Sequence, residues 1–231
     1  MADPAFPLFG SEPAPMVGRT ALLQRVWADL TKATPSNLII VGPRAIGKSV
    51  FLNTLGTKAR EQGSPYSLVL KWELGHAPPR SDELFVAKLS EQLRQAMGVA
   101  PQYSEHRDYL RDDKYGSMKE VLDLLDGEGQ RVLMIWDGLD KALSQGELTG
   151  HLFGQMRDLF HGKRHKIVTA TRSSPTELAR NRQVYDREFW NLFDITPVRI
   201  GPFDAVDREA ALNRAKLTLS SGGIRELQNW S

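Results

Sequence analysis

Apolar residues in this chain fall into two alternating patterns. Short apolar runs with the character of strands occupy 37–41 (Asn-Leu-Ile-Ile-Val), 66–72, 132–136, 166–171 and 195–200. Between them the apolar positions take helical spacing. Leu22, Leu23, Val26, Trp27 and Leu30 predict a helix over 20–30, and a second runs from Lys48 to about Gln62. Ser81 stands as the N-cap of a third, which passes through Phe85, Leu89 and Leu93 to Met97. Helices are also predicted over 116–125, over 147–160 and from Asp204 to about Leu217, with Pro175 in a helical first turn. The stretch 98–115 is irregular and polar, and the proline-spaced segment 1–15 reads as a flexible, extended arm. Strands alternating with helices predict an α/β fold, a parallel sheet covered on both faces.

The junction after the first apolar run carries chemistry. Gly42-Pro43-Arg44-Ala45-Ile46-Gly47-Lys48-Ser49 completes G-x-x-x-x-G-K-[ST] between a strand and a helix. Its glycines let the backbone wrap a polyphosphate with N–H groups, and the helix N-terminus adds a partial positive charge. Residues Gly42 to Val50 are therefore expected to cradle a nucleoside triphosphate. Lys48 is expected at the β/γ-phosphates and the Ser49 hydroxyl on Mg²⁺. Ligands of parallel α/β sheets bind at the carboxyl ends of the strands, where this loop lies.

Composition narrows the remaining choices. At 231 residues the chain suits one α/β domain, or one with a small appendage. The absence of cysteine excludes disulfides, thiolate metal sites and a thiolate nucleophile. Lys and Arg number 30 against 28 Asp and Glu, so bulk charge does not demand nucleic acid. No apolar run nears the ~20 residues needed to span a bilayer, and no signal pattern opens the chain, so a cytoplasmic protein is expected. The histidines lack metal-ligand spacing, so no zinc site is expected. The basic run His161 to Lys166 reads either as a solvated loop or as a contact to phosphate backbones.

A second acidic site follows the run Val132-Leu133-Met134-Ile135-Trp136. Asp137 emerges at the end of this strand, where an aspartate holds Mg²⁺ beside the phosphate-loop hydroxyl. Gly138 occupies the position where many ATPases carry glutamate. Asp140 has two readings, a base or water-orienting group and a cap for the next helix.

Three segments carry a family resemblance. Asp137-Gly138-Leu139-Asp140 resembles the NACHT form of the acidic motif, although Lys141 replaces the glutamate that commonly ends it. Lys166 to Arg172 resembles the strand ending in Thr-Ser-Arg of STAND ATPases, with Ala-Thr as the middle residues. Met16-Val17-Gly18-Arg19 resembles the Val-Gly-Arg box that opens STAND proteins and the related origin-loader AAA+ ATPases. Together with the phosphate loop they stand in the family's order over 16–203.

The resemblance implies a P-loop NTPase three-layer sandwich with a five-stranded parallel sheet of order 5-1-4-3-2. It implies ATP as the nucleotide, with Val17 and Gly18 against the adenine and Arg172 as a sensor of the γ-phosphate. It places an arginine that reaches a neighbour's γ-phosphate at Arg182 or Arg187. Gly201-Pro202-Phe203-Asp204 resembles the hinge into a helical lid, and the Ser221 to Leu227 segment carries Arg225 as a second sensor. The spacing between hinge and sensor is short for a lid, so either the lid over 204–231 is reduced or the chain is a fragment of a longer protein. The ATPase domain is expected over 16–203.

The implied function is an ATP-binding switch with slow Mg²⁺-dependent hydrolysis that controls self-association or a partner, in signalling or defence. The alternatives are an AAA+ loader or transposition-type regulator that assembles on DNA, and a nucleotide-binding module that does not hydrolyse.

Overall fold

Leu38–Val41 (β1) is buried along its whole length, as an unbroken apolar run requires of a strand covered on both faces. The computed structural model describes residues 15–98, 101–110, 112, 114–145, 148–180, 190, 192–193 and 196–216. In chain order the elements are α1 (Thr20–Thr31), β1, α2 (Lys48–Ala59), β2 (Leu68–Trp72), α3 (Asp82–Gly98), α4 (Ser104–Tyr109) and α5 (Tyr115–Gly127). There follow β3 (Val132–Asp137), α6 (Leu139–Gln145), α7 (Gly150–Phe160), β4 (Lys166–Thr171), α8 (Pro175–Arg180), β5 (Val198–Arg199) and α9 (Ala205–Lys216). The five strands form one parallel sheet of order β2-β3-β4-β1-β5, which is the expected 5-1-4-3-2 read from the other edge.

Pleating splits the core into two layers. Val132, Met134 and Trp136 of β3 face α3, α5 and α7, whereas Leu133 and Ile135 face α1 and α2. Trp136 stands edge-on to Trp72 and Phe160, with interplanar angles of 89° to each, and to Phe85 at 85°. Such edge-to-face contacts add to what burial alone contributes. Trp72, Trp136 and Trp190 thus pack as core residues.

Four segments differ from the sequence pattern. The stretch expected to be irregular contains a 3₁₀ turn at Pro101–Tyr103 and then α4. Its apolar anchors, Tyr103 and Leu110, are both buried, but they flank the helix and no residue of α4 between them is buried to complete a helical period. The helix expected from residue 147 starts at Gly150, because Thr149 is extended and its hydroxyl caps His151 N–H at 3.2 Å. A helical turn, α6, directly follows β3. Among the described residues the last strand is Val198–Arg199, shorter than the expected 195–200.

At the amino ends of the strands, the basic run is tied into the fold. Lys163 pairs with Asp123 at 2.9 Å and Arg164 with Asp126 at 3.3 Å, while His165 and Lys166 are buried. His165 Nδ1 accepts Val132 N–H at 3.1 Å, and Nε2 lies 2.7 Å from Leu122 O, so the ring is neutral and donates from Nε2. Burial pushes its pKa below the ordinary value, against the carbonyl and Asp126, which pull it up. A depressed folded-state pKa contributes stability that is complete above the unfolded value, about 6.5, and is lost as pH falls below it. The urea midpoint should therefore drop between pH 7.5 and 5.5. His165→Gln should cost about 1–3 kcal/mol at neutral pH and flatten that pH dependence; an unchanged slope in the variant would refute the assignment.

Candidate functional site

Backbone pairing continues past the strands at their carboxyl ends, by one residue after β1, β3 and β5 and by three after β2. Gly75 N–H donates to Asp137 O at 2.9 Å, Gly138 N–H to Ala170 O at 3.1 Å, Gly42 N–H to Thr171 O at 3.3 Å and Ile200 N–H to Val41 O at 2.8 Å. The loops that follow β1, β2 and β3 therefore leave the sheet at one level. Gly42 allows this close approach, since a Cβ there would lie 2.5 Å from Ile200 O.

Above this edge lies a cleft of about 560 Å³. One wall is the phosphate loop, including Lys48 and Ser49 at the start of α2. Asp137 and Asp140 enter from the end of β3, and Arg172 enters from the end of β4. The fold thus collects Lys48, Ser49, Asp137, Asp140 and Arg172 in one place, together with Arg44, Ala45, Gly47 and Val50 of the phosphate loop.

Their contacts define the electrostatics. Lys48 Nζ donates to Gly42 O at 2.7 Å and to Pro43 O at 2.8 Å, bracing its own loop. Partial burial lowers the pKa of this ammonium; Asp140 and Asp137 act against the shift, and Arg172 adds to it. Asp140 Oδ2 accepts Arg172 N–H at 3.2 Å and lies 3.9 Å from Arg172 Nε. The Asp140 side chain is 14% exposed and that of Arg172 58%, so the pair spans from the inner cleft to its mouth. Ser49 and Asp137 offer a hydroxyl and a carboxylate, hard oxygen donors of the kind that suits a Mg²⁺ retaining waters and phosphate ligands. Among the described residues no cluster of three His, Cys, Asp or Glu offers an all-protein metal cage.

Several residues here were not singled out by the sequence reading. Glu73 and His76, from the chain leaving β2, line the same cleft. Glu73 lies between Lys71 Nζ at 2.7 Å and His76 Nδ1 at 2.9 Å, and the hydrogen bond from Lys71 holds its carboxyl below the usual range. Lys141, the departure from the acidic motif, donates its ammonium to Gly75 O. The pattern could not reveal Glu73 and His76 because their place in the cleft depends on how the chain turns after β2. Val17 and Gly18 do not line the cleft. They precede Arg19, whose guanidinium reaches towards Gly47, stacks on Phe203 at 4.7 Å and donates to Gly201 O at 3.1 Å. Arg182, Arg187 and Arg225 lie outside the described residues.

Gly138 explains the missing glutamate. Its φ is +82°, and a Cβ there would stand 2.8 Å from Gly75 Cα and 2.9 Å from Gly75 N. Backbone is in the way, so no rotamer relieves the clash. Gly138→Ala should lower stability by about 1–3 kcal/mol, read as a shift in the urea midpoint, and Gly138→Glu should be destabilised at least as much. Wild-type stability in Gly138→Ala would show that the two backbones separate freely.

No protein-family model and no curated protein matches the sequence. Solved structures do. The Orc2 protein of Aeropyrum pernix, in ADPNP–ADP complexes, superposes with a TM-score of 0.61 at 15% identity over 94% of this chain and 56% of its own. A Walker-type ATPase of Pyrococcus abyssi gives 0.59 at 15% identity, over 91% and 62% respectively. The Orc1 protein of Aeropyrum pernix, in complex with DNA, gives 0.55 at 16% identity, over 87% and 50%. The chain spans 50–62% of the length of these proteins. With its all-parallel order 2-3-4-1-5 and a phosphate loop after β1, this chain has the P-loop fold of AAA+ ATPases.

Proposed function

We propose that this chain binds ATP with Mg²⁺, hydrolyses it slowly, and uses the bound nucleotide as a switch that controls self-association or a partner. The observation that carries the reading is the convergence of Lys48, Ser49, Asp137, Asp140 and Arg172 on one cleft. In this reading the phosphate loop holds the polyphosphate, with Lys48 exchanging its loop carbonyls for the β/γ-phosphate oxygens. Ser49 and Asp137 hold Mg²⁺, which when bound neutralises charge on those oxygens. Arg172 senses the γ-phosphate, and Asp140, bonded to it, sets its position as well as being a candidate for orienting water. Val17 and Gly18 lie against the adenine. Slow turnover is expected because Gly138 supplies no side chain next to Asp137. The motifs ending in Asp140 and Arg172 favour a STAND-like signalling or defence role over other P-loop classes.

A second reading is an AAA+ ATPase that assembles on DNA, favoured by the likeness to an Orc1 protein captured with DNA. Against it, Lys163 and Arg164 of the one basic run are paired internally. DNA binding that weakens steeply with salt would support this second reading.

Titration with a fluorescent ATP analogue tests the first reading. Lys48→Ala should weaken binding by about 100-fold or more, and Asp137→Ala should abolish the Mg²⁺-dependent part. Unchanged affinity in Lys48→Ala would remove the basis for an ATP site in this cleft. Arg172→Ala should bind ADP as the wild type does but erase the difference between ATP and ADP in sedimentation or protease sensitivity. A preserved difference would leave the sensor elsewhere.

A further inference from the structure

The segment that excludes a glutamate from position 138 brings another acid into the cleft. Gly75 stacks against Gly138, and Glu73 precedes it by two residues. Strand parity puts this acid on the right side of the sheet. Trp72 pairs with Trp136 in the β2–β3 ladder, so the next residues along, Glu73 and Asp137, emerge side by side. Val69 packs on the α1/α2 layer, as does Ile135, so alternation turns Glu73 towards the layer that holds the phosphate loop. Lys71 Nζ contacts Oε1 and His76 Nδ1 contacts Oε2, which fixes the carboxylate while leaving acceptor capacity on each oxygen. Asp140, the other acid available, is engaged by both the backbone and the guanidinium of Arg172.

We propose that Glu73 is the group that orients the attacking water and takes its proton, with Lys71 and His76 as positioning residues; this rests on the ATPase reading of the cleft. The water oxygen forms a bond to the γ-phosphorus as the bond from that phosphorus to the β,γ-bridging oxygen breaks, and ADP leaves with the electron pair. The water's proton passes to the Glu73 carboxylate and then to solvent, which the side chain reaches at 49% exposure. The products are ADP, phosphate and one proton.

The test uses the full chain and compares wild type, Glu73→Gln, Glu73→Asp and Asp140→Asn. Analogue affinity, single-turnover hydrolysis and the identity of nucleotide retained after gel filtration are measured for each. Glu73→Gln should keep ATP-analogue affinity within about threefold and lose turnover by about 100-fold or more, so that the retained nucleotide stays ATP. Glu73→Asp, which keeps a carboxylate on a shorter stem, should fall between the two. Turnover in Glu73→Gln within about threefold of wild type overturns the proposal, as does a loss of affinity equal to the loss of turnover. A defect confined to Asp140→Asn assigns the proton to Asp140 and also overturns it. These results leave the ATPase reading standing, whereas a wild type that binds ATP and forms no ADP overturns both.

Discussion

Four backbone hydrogen bonds that carry the pairing of the sheet past its strand ends hold the cleft together. They fix where the chain leaves β1, β2 and β3, and three of their four donors are glycines, Gly42, Gly75 and Gly138. Buried backbone groups left unpaired are costly, so the row is enforced by the same accounting that holds the sheet. Gly42 is pressed against Ile200 O and Gly138 against Gly75, which leaves the strand ends no room to slide. Lys48, Asp137 and Arg172 have no common sequence neighbourhood. They share a cleft because their strands end level.

Several charges in that cleft are already partnered. Lys48 bonds loop carbonyls, Arg172 holds Asp140, Lys141 holds Gly75 O, and Glu73 sits between Lys71 and His76. On the proposed ATP reading, an incoming polyphosphate would exchange partners with these groups, and its binding would be tied to rearrangement of the loops after β1, β3 and β4.

Much of the architecture was legible in the sequence because it rests on local pattern. The runs at Leu38 and Val132 are apolar on both faces, and strands so covered have few alternatives to a parallel sheet. Ser81 signalled the start of α3, and its hydroxyl indeed accepts Leu84 N–H at 3.3 Å. The candidates Lys48, Ser49, Asp137, Asp140 and Arg172 were legible because each directly ends or follows a recognisable strand. Glu73 was not, since no motif marks it and its place in the cleft comes from the turn after β2, where Gly75 meets Gly138. Nor was α4, which packs against α3 and α5 but buries none of its own residues, only the flanking Tyr103 and Leu110. The basic run looked like a loop because the acids that neutralise it, Asp123 and Asp126, lie on a helix about forty residues earlier in the chain.

The tie between Arg19 and α9 has a mechanical consequence. Arg19 holds a left-handed φ of 56°, and its N–H donates to Asp207 in the first turn of α9. From Ala205 to Asn213 no residue of α9 is buried. Its 12 residues make an arm about 18 Å long. A rotation of about 10° at the anchored end carries the far end about 3 Å. The anchor sits against Gly47, so α9 is a pointer pivoted on the phosphate loop, and angular play at the pivot is magnified along its length.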